Sequence, residues 1–350
     1  MRGINPFTPG IQKPEELVGR KEEVNLFNSY LSSTLAGQPV FMLVIGTKGI
    51  GKTSLLRYYQ AIAEKNKALA VLFRSHKSDD LQRLIDELEN TINEKISLGA
   101  LTKKYTESLK NVKINDNNCE KTMEGIYTDM KKDLSAIVFL IDDAHNLSKE
   151  SLRRLISLFT KLADKKIHYM LVLSSSGELH LHEYKELFRP IYVSELNQKD
   201  ITELIEKSLA PSKIKVGEEC LHTIIDDSQG HPLVLLTICW TIYDKIKENE
   251  RIISRGHYIA YLPTIMSNLS RELFDDLYEE TSSGEREVLG AFANGEATVS
   301  DVAVQLNKPL NTVTTLVLRL AESGNLRKIA RGRYKIFNRL YGKYVLGRGQ

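Results

Sequence analysis

At 350 residues the chain is long enough for two or three domains, and with 42% hydrophobic and 27% charged residues it has the make-up of a globular protein with real cores. No apolar run approaches the ~18 residues of a membrane helix, and the opening MRGINPFTPG lacks a signal-peptide core, so the expectation is a cytoplasmic protein without membrane contact. Cys119, Cys220 and Cys239 are odd in number, widely spaced and free of any CxxC pair, which argues against a disulfide framework or a zinc site.

A Pro/Gly-rich arm leads to PEELVGRKEEVNLFNSYLSS, where Val24, Phe27, Tyr30 and Leu31 recur at helical spacing behind a VGR turn. PVFMLVI (39–45) reads as a strand buried on both faces of a parallel sheet. KTSLLRYYQAIAEK (52–65) predicts a helix, and LAVLFR (69–74) a second strand. Residues 78–134 are charged and mostly helical, broken at NDNN (115–118). AIVFLI (136–141) is a third strand, SKESLRRLISLFTKLAD (148–164) a helix, HYMLVLSSS (168–176) a fourth strand and PIYVSEL (190–196) a short fifth. Strands alternating with helices predict an α/β domain with a parallel sheet. From 197 to about 270 the pattern is helical only, with Asp200 as a helix cap.

GTKGIGKT (46–53) fits G-x-x-x-x-G-K-[ST], with a strand before it and a helix after it. Gly46, Gly49 and Gly51 permit a tight loop, and its amides with the helix N-terminus can wrap phosphate oxygens. Gly46, Thr47, Lys48, Gly49, Ile50, Gly51, Lys52, Thr53 and Ser54 are therefore the candidate nucleotide contacts. Lys52 reaches the β/γ-phosphates and the Thr53 hydroxyl binds Mg²⁺. VFLIDDAHNL (138–147) ends a buried strand on two adjacent aspartates, and ligands gather at the carboxyl ends of parallel strands. Asp142 is the candidate metal carboxylate, and Asp143, one residue further out, the candidate base for the attacking water.

At this point the chain resembles the AAA+ and STAND P-loop ATPases, through VGRKEEV (18–24), GTKGIGKTS (46–54), FLIDDAHNL (139–147), LVLSSSGEL (171–179), LFRPIYVSELNQKDI (187–201) and GHPLVLL (230–236). It is most similar to archaeal ATPases related to origin-recognition initiators, which join such a core to a winged helix. The resemblance implies a P-loop NTPase core (1–196, with the arm), a helical lid (197–270) and a C-terminal winged helix-turn-helix (271–350). It implies that Val18, Gly19 and Arg20 line the adenine pocket, and that a polar sensor ends the fourth strand at Ser174 or Ser175, with Ser174 taken as the candidate. It further implies that Arg189, ahead of the fifth strand, lies near the γ-phosphate, and that Pro232 of the GHP motif closes the pocket, with His231 as a phosphate contact. The lid lacks an evident GxxR-type sensor arginine, which favours the STAND side.

GEREVLGAFA, TVSDVAVQL and LNTVTTLVLRLAESG are three short helical patterns, and NLRKIARGRYKIF (325–337) alternates around a turn at Arg331-Gly332. Three helices and a β-hairpin make a winged helix-turn-helix. Its third helix exposes Asn311, Thr312, Thr314, Thr315 and Arg319 to a major groove, and Arg331 and Arg333 mark the wing tip. The net charge is only +3, yet residues 308–350 carry ten Lys/Arg against the single acid Glu322, which points to an anionic partner. Tyr334, Phe337, Tyr341 and Tyr344 recur at helical spacing and are expected to pack a closing helix rather than stack on bases.

The expected function is a slow Mg–ATP-hydrolysing AAA+/STAND ATPase, cycling between ATP and ADP, whose nucleotide state controls a DNA-binding winged helix. Self-assembly through Arg189 or a protein partner is part of that expectation. The alternative is a STAND-type signalling or transcriptional switch whose winged helix docks protein or promoter DNA. A transposition or defence accessory ATPase is a third possibility.

Overall fold

The computed structural model describes residues 4–76, 81–97, 119–130, 134–165, 167–177, 179, 182–247 and 249–348, so the expected break at 115–118 lies outside the described residues. The chain divides into two compact units, one of residues 13–46 and 52–193, the other of 4–12, 47–51 and 194–348.

The first unit is built on five strands: β1 (Val40–Ile45), β2 (Ala68–Arg74), β3 (Ala136–Asp142), β4 (Tyr169–Ser175) and β5 (Phe188–Tyr192). Their order is β2-β3-β4-β1-β5, and every pairing is parallel. β3 and β4 are buried at every position, which is why their sequences are continuous apolar runs with no alternation. Around the sheet lie α1 (Lys21–Leu35), α2 (Lys52–Lys65), α3 (Leu81–Ser97), α4 (Cys119–Met130) and α5 (Lys149–Asp164). α5 starts where the Ser148 hydroxyl accepts from the Ser151 amide, and it buries Leu152, Leu155, Ile156, Phe159 and Leu162, a stripe of helical period. Phe159 meets Phe139 and Tyr169 edge-on at centroid distances of 4.8 and 5.1 Å, and the Tyr169 hydroxyl donates to the Phe159 carbonyl. Phe159→Ala would open a cavity at this junction and cost about 3–5 kcal/mol.

The second unit begins with α6 (Gln198–Leu209), α7 (Glu218–Ser228), α8 (Pro232–Lys245) and α9 (Arg255–Leu269). α8 is apolar on nearly every side because it runs through the middle, packed by α7 and α9. The N-terminal arm also packs here: Asn5 Nδ2 donates to the Trp240 carbonyl at 3.0 Å, and buried Phe7 meets Tyr243 edge-on. Helical only is not what this stretch adopts, since β6 (Lys215–Val216) and β7 (Ile252–Ile253) pair in parallel. Strands of two residues leave no readable period. The cap of α6 is Asn197, whose side chain accepts from the Asp200 amide, so Asp200 sits inside the first turn where its charge favours the helix dipole.

A π-helical turn (Ser270–Phe274) and α10 (Asp275–Glu279) lead to α11 (Ser283–Phe292), β8 (Glu296–Thr298), α12 (Val299–Gln305), α13 (Leu310–Glu322), β9 (Leu326–Ala330), β10 (Arg333–Ile336) and α14 (Arg339–Arg348). Ser282 and Thr298 open α11 and α12 with capping boxes to Glu285 and Asp301. The expected hairpin turns at Arg331-Gly332 and gains a third antiparallel strand, in the order β8-β10-β9. Val302, Val313, Val317 and Leu320 face the core beneath it. Of the expected aromatic repeat, Tyr341 and Tyr344 belong to the closing helix and pack in one cluster with Phe337 and Phe274, Phe337 and Tyr341 being essentially inaccessible, whereas Tyr334 lies buried on the strand β10.

Candidate functional site

The phosphate loop starts where β1 stops. The Gly46 amide donates to the Ser175 carbonyl at 3.1 Å, which anchors the first residue of the loop beside the end of β4. Gly49 and Gly51 have φ of +76° and +101° while Gly46 does not, so the left-handed turns fall on two of the three glycines. Lys52 opens α2 and is buried. Its ammonium donates to the Gly46 carbonyl at 2.8 Å and to Ser176 Oγ at 3.4 Å. Thr53 Oγ1 donates to Asp142 Oδ2 at 2.5 Å.

Asp142 is 1% exposed, and its other oxygen, Oδ1, accepts from Ser174 Oγ. Ser174 Oγ in turn accepts from the Asp143 amide at 3.0 Å. Ser174 is thus the serine whose hydroxyl faces the strand-end aspartates. Asp143 itself takes a left-handed conformation, φ 54°, in a short-chain residue type that tolerates it. Its carboxylate points to Arg74 Nε at 3.6 Å. Sequence reasoning missed the brace behind this turn. Ser75 Oγ lies 3.0 and 2.6 Å from the carbonyls of Asp142 and Asp143, and Asn146 Nδ2 donates to the Ser75 carbonyl at 3.0 Å. The polar RS ending of β2 was the available signal.

The donor set fits magnesium. The Thr53 hydroxyl and the Asp142 carboxylate are hard oxygens, and Mg²⁺ is ordinarily held by one or two protein oxygens with phosphate and water completing the shell. No group of three or more His, Cys, Asp or Glu that could hold a metal by itself occurs among the described residues.

The other expected contacts in the first unit have mixed surroundings. Val18 is buried, Gly19 has φ +72°, and the Arg20 guanidinium is buried against Glu23 Oε1 at 3.3 Å. The Tyr59 hydroxyl donates to the Glu23 carbonyl, and burial followed by the nearby Glu23 pushes that phenol well above its usual range. Tyr59 thereby ties α2 to α1, while Arg20 is engaged by Glu23 at the start of α1, a partner the VGR spacing alone did not show. Arg189 lies inside the edge strand β5 rather than ahead of it, opposite Met42 in register, and is exposed.

Within the second unit, the middle of the loop is held by the start of α8. His231, with no exposed surface, places Nε2 3.0 Å from the Lys48 carbonyl, and the Leu233 amide donates to the Gly49 carbonyl at 3.4 Å. A Cβ on Gly49 would stand 2.8 Å from the His231 ring. Gly230, at φ +76°, leaves no room either, since a Cβ there would lie 2.1 Å from the Leu196 carbonyl oxygen. His231 thus touches loop backbone in the place where a phosphate contact was expected, and Pro232 is the first residue of α8. The Lys48 ammonium meets Asp276 at 2.6 Å.

On the C-terminal module, Asn311, Thr312, Thr315 and Arg319 of α13 are exposed and Thr314 is half-buried. The Thr314 and Thr315 hydroxyls donate to the carbonyls of Leu310 and Asn311, leaving them acceptors toward anything outside. The basic block is less free than its composition suggested. Lys308, Arg327, Arg333, Arg339 and Arg348 each meet an acid, namely Glu287, Glu195, Glu296, Asp227 and Asp275. The half-buried Arg327 lies over Phe337, and desolvation lowers its pKa. Arg319, Lys328, Arg331, Lys335 and Lys343 have no ion pair among the described residues.

Comparison with known proteins bears on these sites. Residues 16–173 match the family model described as AAA ATPase domain. An uncharacterised HTH-type transcriptional regulator of Methanocaldococcus jannaschii is 22% identical, over 94% of this chain and 88% of its own length. A Walker-type ATPase of Pyrococcus abyssi superposes with a TM-score of 0.71 at 16% identity, covering 98% of this chain and 99% of that one. The RuvB Holliday junction branch migration motor of Thermotoga maritima gives 0.50 at 16% identity over 97% and 98% of the two chains. A chain of the Drosophila ORC bound to DNA gives 0.50 at 14% over 98% and 90%. At these identities the structural likenesses speak to the fold.

Proposed function

We propose that this protein, whose residues 16–173 match the AAA ATPase domain model, binds Mg–ATP, hydrolyses it slowly, and uses the nucleotide state to control a winged helix that binds duplex DNA. The observation that carries the proposal is the convergence of buried Lys52, Thr53 and Asp142 at the carboxyl edge of a parallel sheet, at the start of α2. When bound, magnesium would neutralise phosphate charge there, held by Thr53 and Asp142. Lys52 neutralises the outer phosphates, Asp143 orients the attacking water and accepts its proton, and Ser174 holds the Asp142 carboxylate in position. Loop residues Gly46 to Ser54 surround the phosphates. Val18, Gly19 and Arg20 serve the base, and Arg189 reaches a neighbouring copy.

Three functional domains, 1–196, 197–270 and 271–350, follow from this reading. Coupling is supported by the loop contacts within the second unit, where Lys48 is bonded both to His231 and to Asp276 of α10, which leads into the C-terminal module. DNA binding is supported by exposed Asn311, Thr312, Arg319 and Arg331 and by unpaired Lys328 and Lys335. The test is a duplex titration across a salt series with ATP and with ADP. The reading expects affinity that falls steeply with salt and differs between nucleotides, and loss of nucleotide binding in Lys52→Ala. No duplex binding at low salt would defeat the DNA part, and nucleotide binding by Lys52→Ala at wild-type strength would defeat the site.

A second reading is a STAND-type regulatory switch whose module docks a protein or a promoter. It is favoured by exposed Val304, Leu310 and Leu318 around α13, by the ion-paired half of the basic block, and by a relative named as a transcriptional regulator. Slow turnover insensitive to DNA would select it.

A further inference from the structure

The serines at the end of β4 face different partners. Ser174 Oγ serves Asp142, and the Ser175 carbonyl takes the Gly46 amide. Ser176 lies one residue past the strand, where the ladder to β1 has ended at the Ile45–Ser175 pair. A backbone amide leaving a sheet needs a new acceptor. For Ser176 that acceptor is His145 Nδ1 at 3.4 Å, while its hydroxyl takes the Lys52 ammonium at 3.4 Å. His145 stands two residues beyond Asp143, on the 3-10 turn Ala144–Asn146, with its ring exposed. An Nδ1 that accepts carries no proton, so the ring proton sits on Nε2.

We propose that His145 is a positioning residue of the nucleotide site, acting through Ser176 on the Lys52 ammonium. A lysine has a flexible stem and three rotatable donors, so its aim must be set by its neighbours. The Gly46 carbonyl and the Ser176 hydroxyl set it here from two directions, and the imidazole fixes the peptide that carries the second of them. The charge that needs this aim develops on the outermost phosphate, so the pair acts on turnover of ATP and leaves ADP binding alone. The turn after the strand-end aspartates thereby ties the end of β3 to the end of β4 at the point where the phosphate-loop lysine is held.

The inference rests on the ATPase reading, and the experiment separates the two. Steady-state ATPase kinetics and ADP titration are run on wild type, Lys52→Ala, His145→Ala, His145→Gln, Ser176→Ala and the double variant His145→Ala/Ser176→Ala. His145→Ala and Ser176→Ala should each lower kcat about five-fold, the worth of one hydrogen bond. KM and ADP affinity should stay unchanged, the double variant should be no worse than either single one, and His145→Gln should recover most of the rate because its amide oxygen can accept. A wild-type kcat in His145→Ala, additive defects in the double variant, or a glutamine variant as slow as alanine would overturn it. Absence of nucleotide binding by the wild-type chain would bring down the ATPase reading and this inference with it. If ATP binds without turning over, the ratio of ATP to ADP affinity is read instead, and an unchanged ratio in His145→Ala overturns the inference alone.

Discussion

Thr53 Oγ1 donates to Asp142 Oδ2 at 2.5 Å, joining the first turn of the helix after the phosphate loop to the last residue of a fully buried strand. Asp142 is buried, and its two oxygens are divided between a threonine and Ser174. A carboxylate so held costs little further ordering when a cation arrives. Asp142→Asn keeps the shape and removes the charge. It should weaken the magnesium dependence of ATP binding by about ten-fold or more, with ATP affinity in chelator little changed. Titration of ATP with and without Mg²⁺ checks it, and an unaltered magnesium dependence would remove Asp142 from the metal site.

Asp143 presents a different balance. Its left-handed backbone and the Ser75 brace fix the turn, yet its carboxylate faces exposed Arg74 at 3.6 Å. Asp143→Asn should lower kcat about a hundred-fold while ATP affinity holds, as expected of a lost general base. Arg74→Ala should leave binding intact and change kcat by less than about three-fold, because a partly exposed pair is worth little. Single-turnover rates measure both. A normal rate in Asp143→Asn would pass the role of base to another group.

What the sequence made legible follows the range of the interactions involved. The phosphate loop, the apolar β1, β3 and β4 and the α5 stripe are local patterns, and each was readable from a window of a few residues. The strands β6, β7 and β8 are too short to show a period, and their pairing is with distant segments. Asn197 and Asp200 are both capping residue types within one turn, so only the backbone distinguishes cap from first turn. Ser174 and Ser176 could be separated only by knowing that one faces Asp142 and the other Lys52 and His145. Ion pairs such as Arg327–Glu195 cross most of the second unit, and a count of basic residues does not contain them.

That pair makes a prediction about DNA binding. Arg327 is half-buried and engaged at 2.7 Å, whereas Arg331 at the hairpin tip is exposed. Arg331→Ala should reduce the slope of log affinity against log salt by about 1 and leave thermal stability unchanged. Arg327→Ala should leave that slope alone and cost about 1–3 kcal/mol of stability, because Glu195 loses its partner and Phe337 its covering cation. Salt-series titrations and thermal melts on the two variants separate the roles. A changed slope in Arg327→Ala would return it to the binding face.

The C-terminal helix is fastened by a titratable group. Asp275 accepts from the Tyr344 hydroxyl and Ser270 Oγ and pairs with Arg348, so these contacts hold α14 on the start of α10. The Tyr344 bond first, and then Ser270 and Arg348, hold the Asp275 carboxyl below its ordinary 3.8, against a smaller desolvation effect. In return, burial and the Asp275 bond push the Tyr344 phenol up to about 12. Because the folded pKa of Asp275 is depressed, its contribution is complete above the ordinary value and disappears as pH falls through the lower folded one. Asp275→Asn should therefore lower the melting temperature by about 2–4 °C at pH ~7. That difference should persist down to pH ~4 and shrink only below it. Paired melts of wild type and variant across this range check the sign, and a difference that grew on acidification would contradict a depressed Asp275.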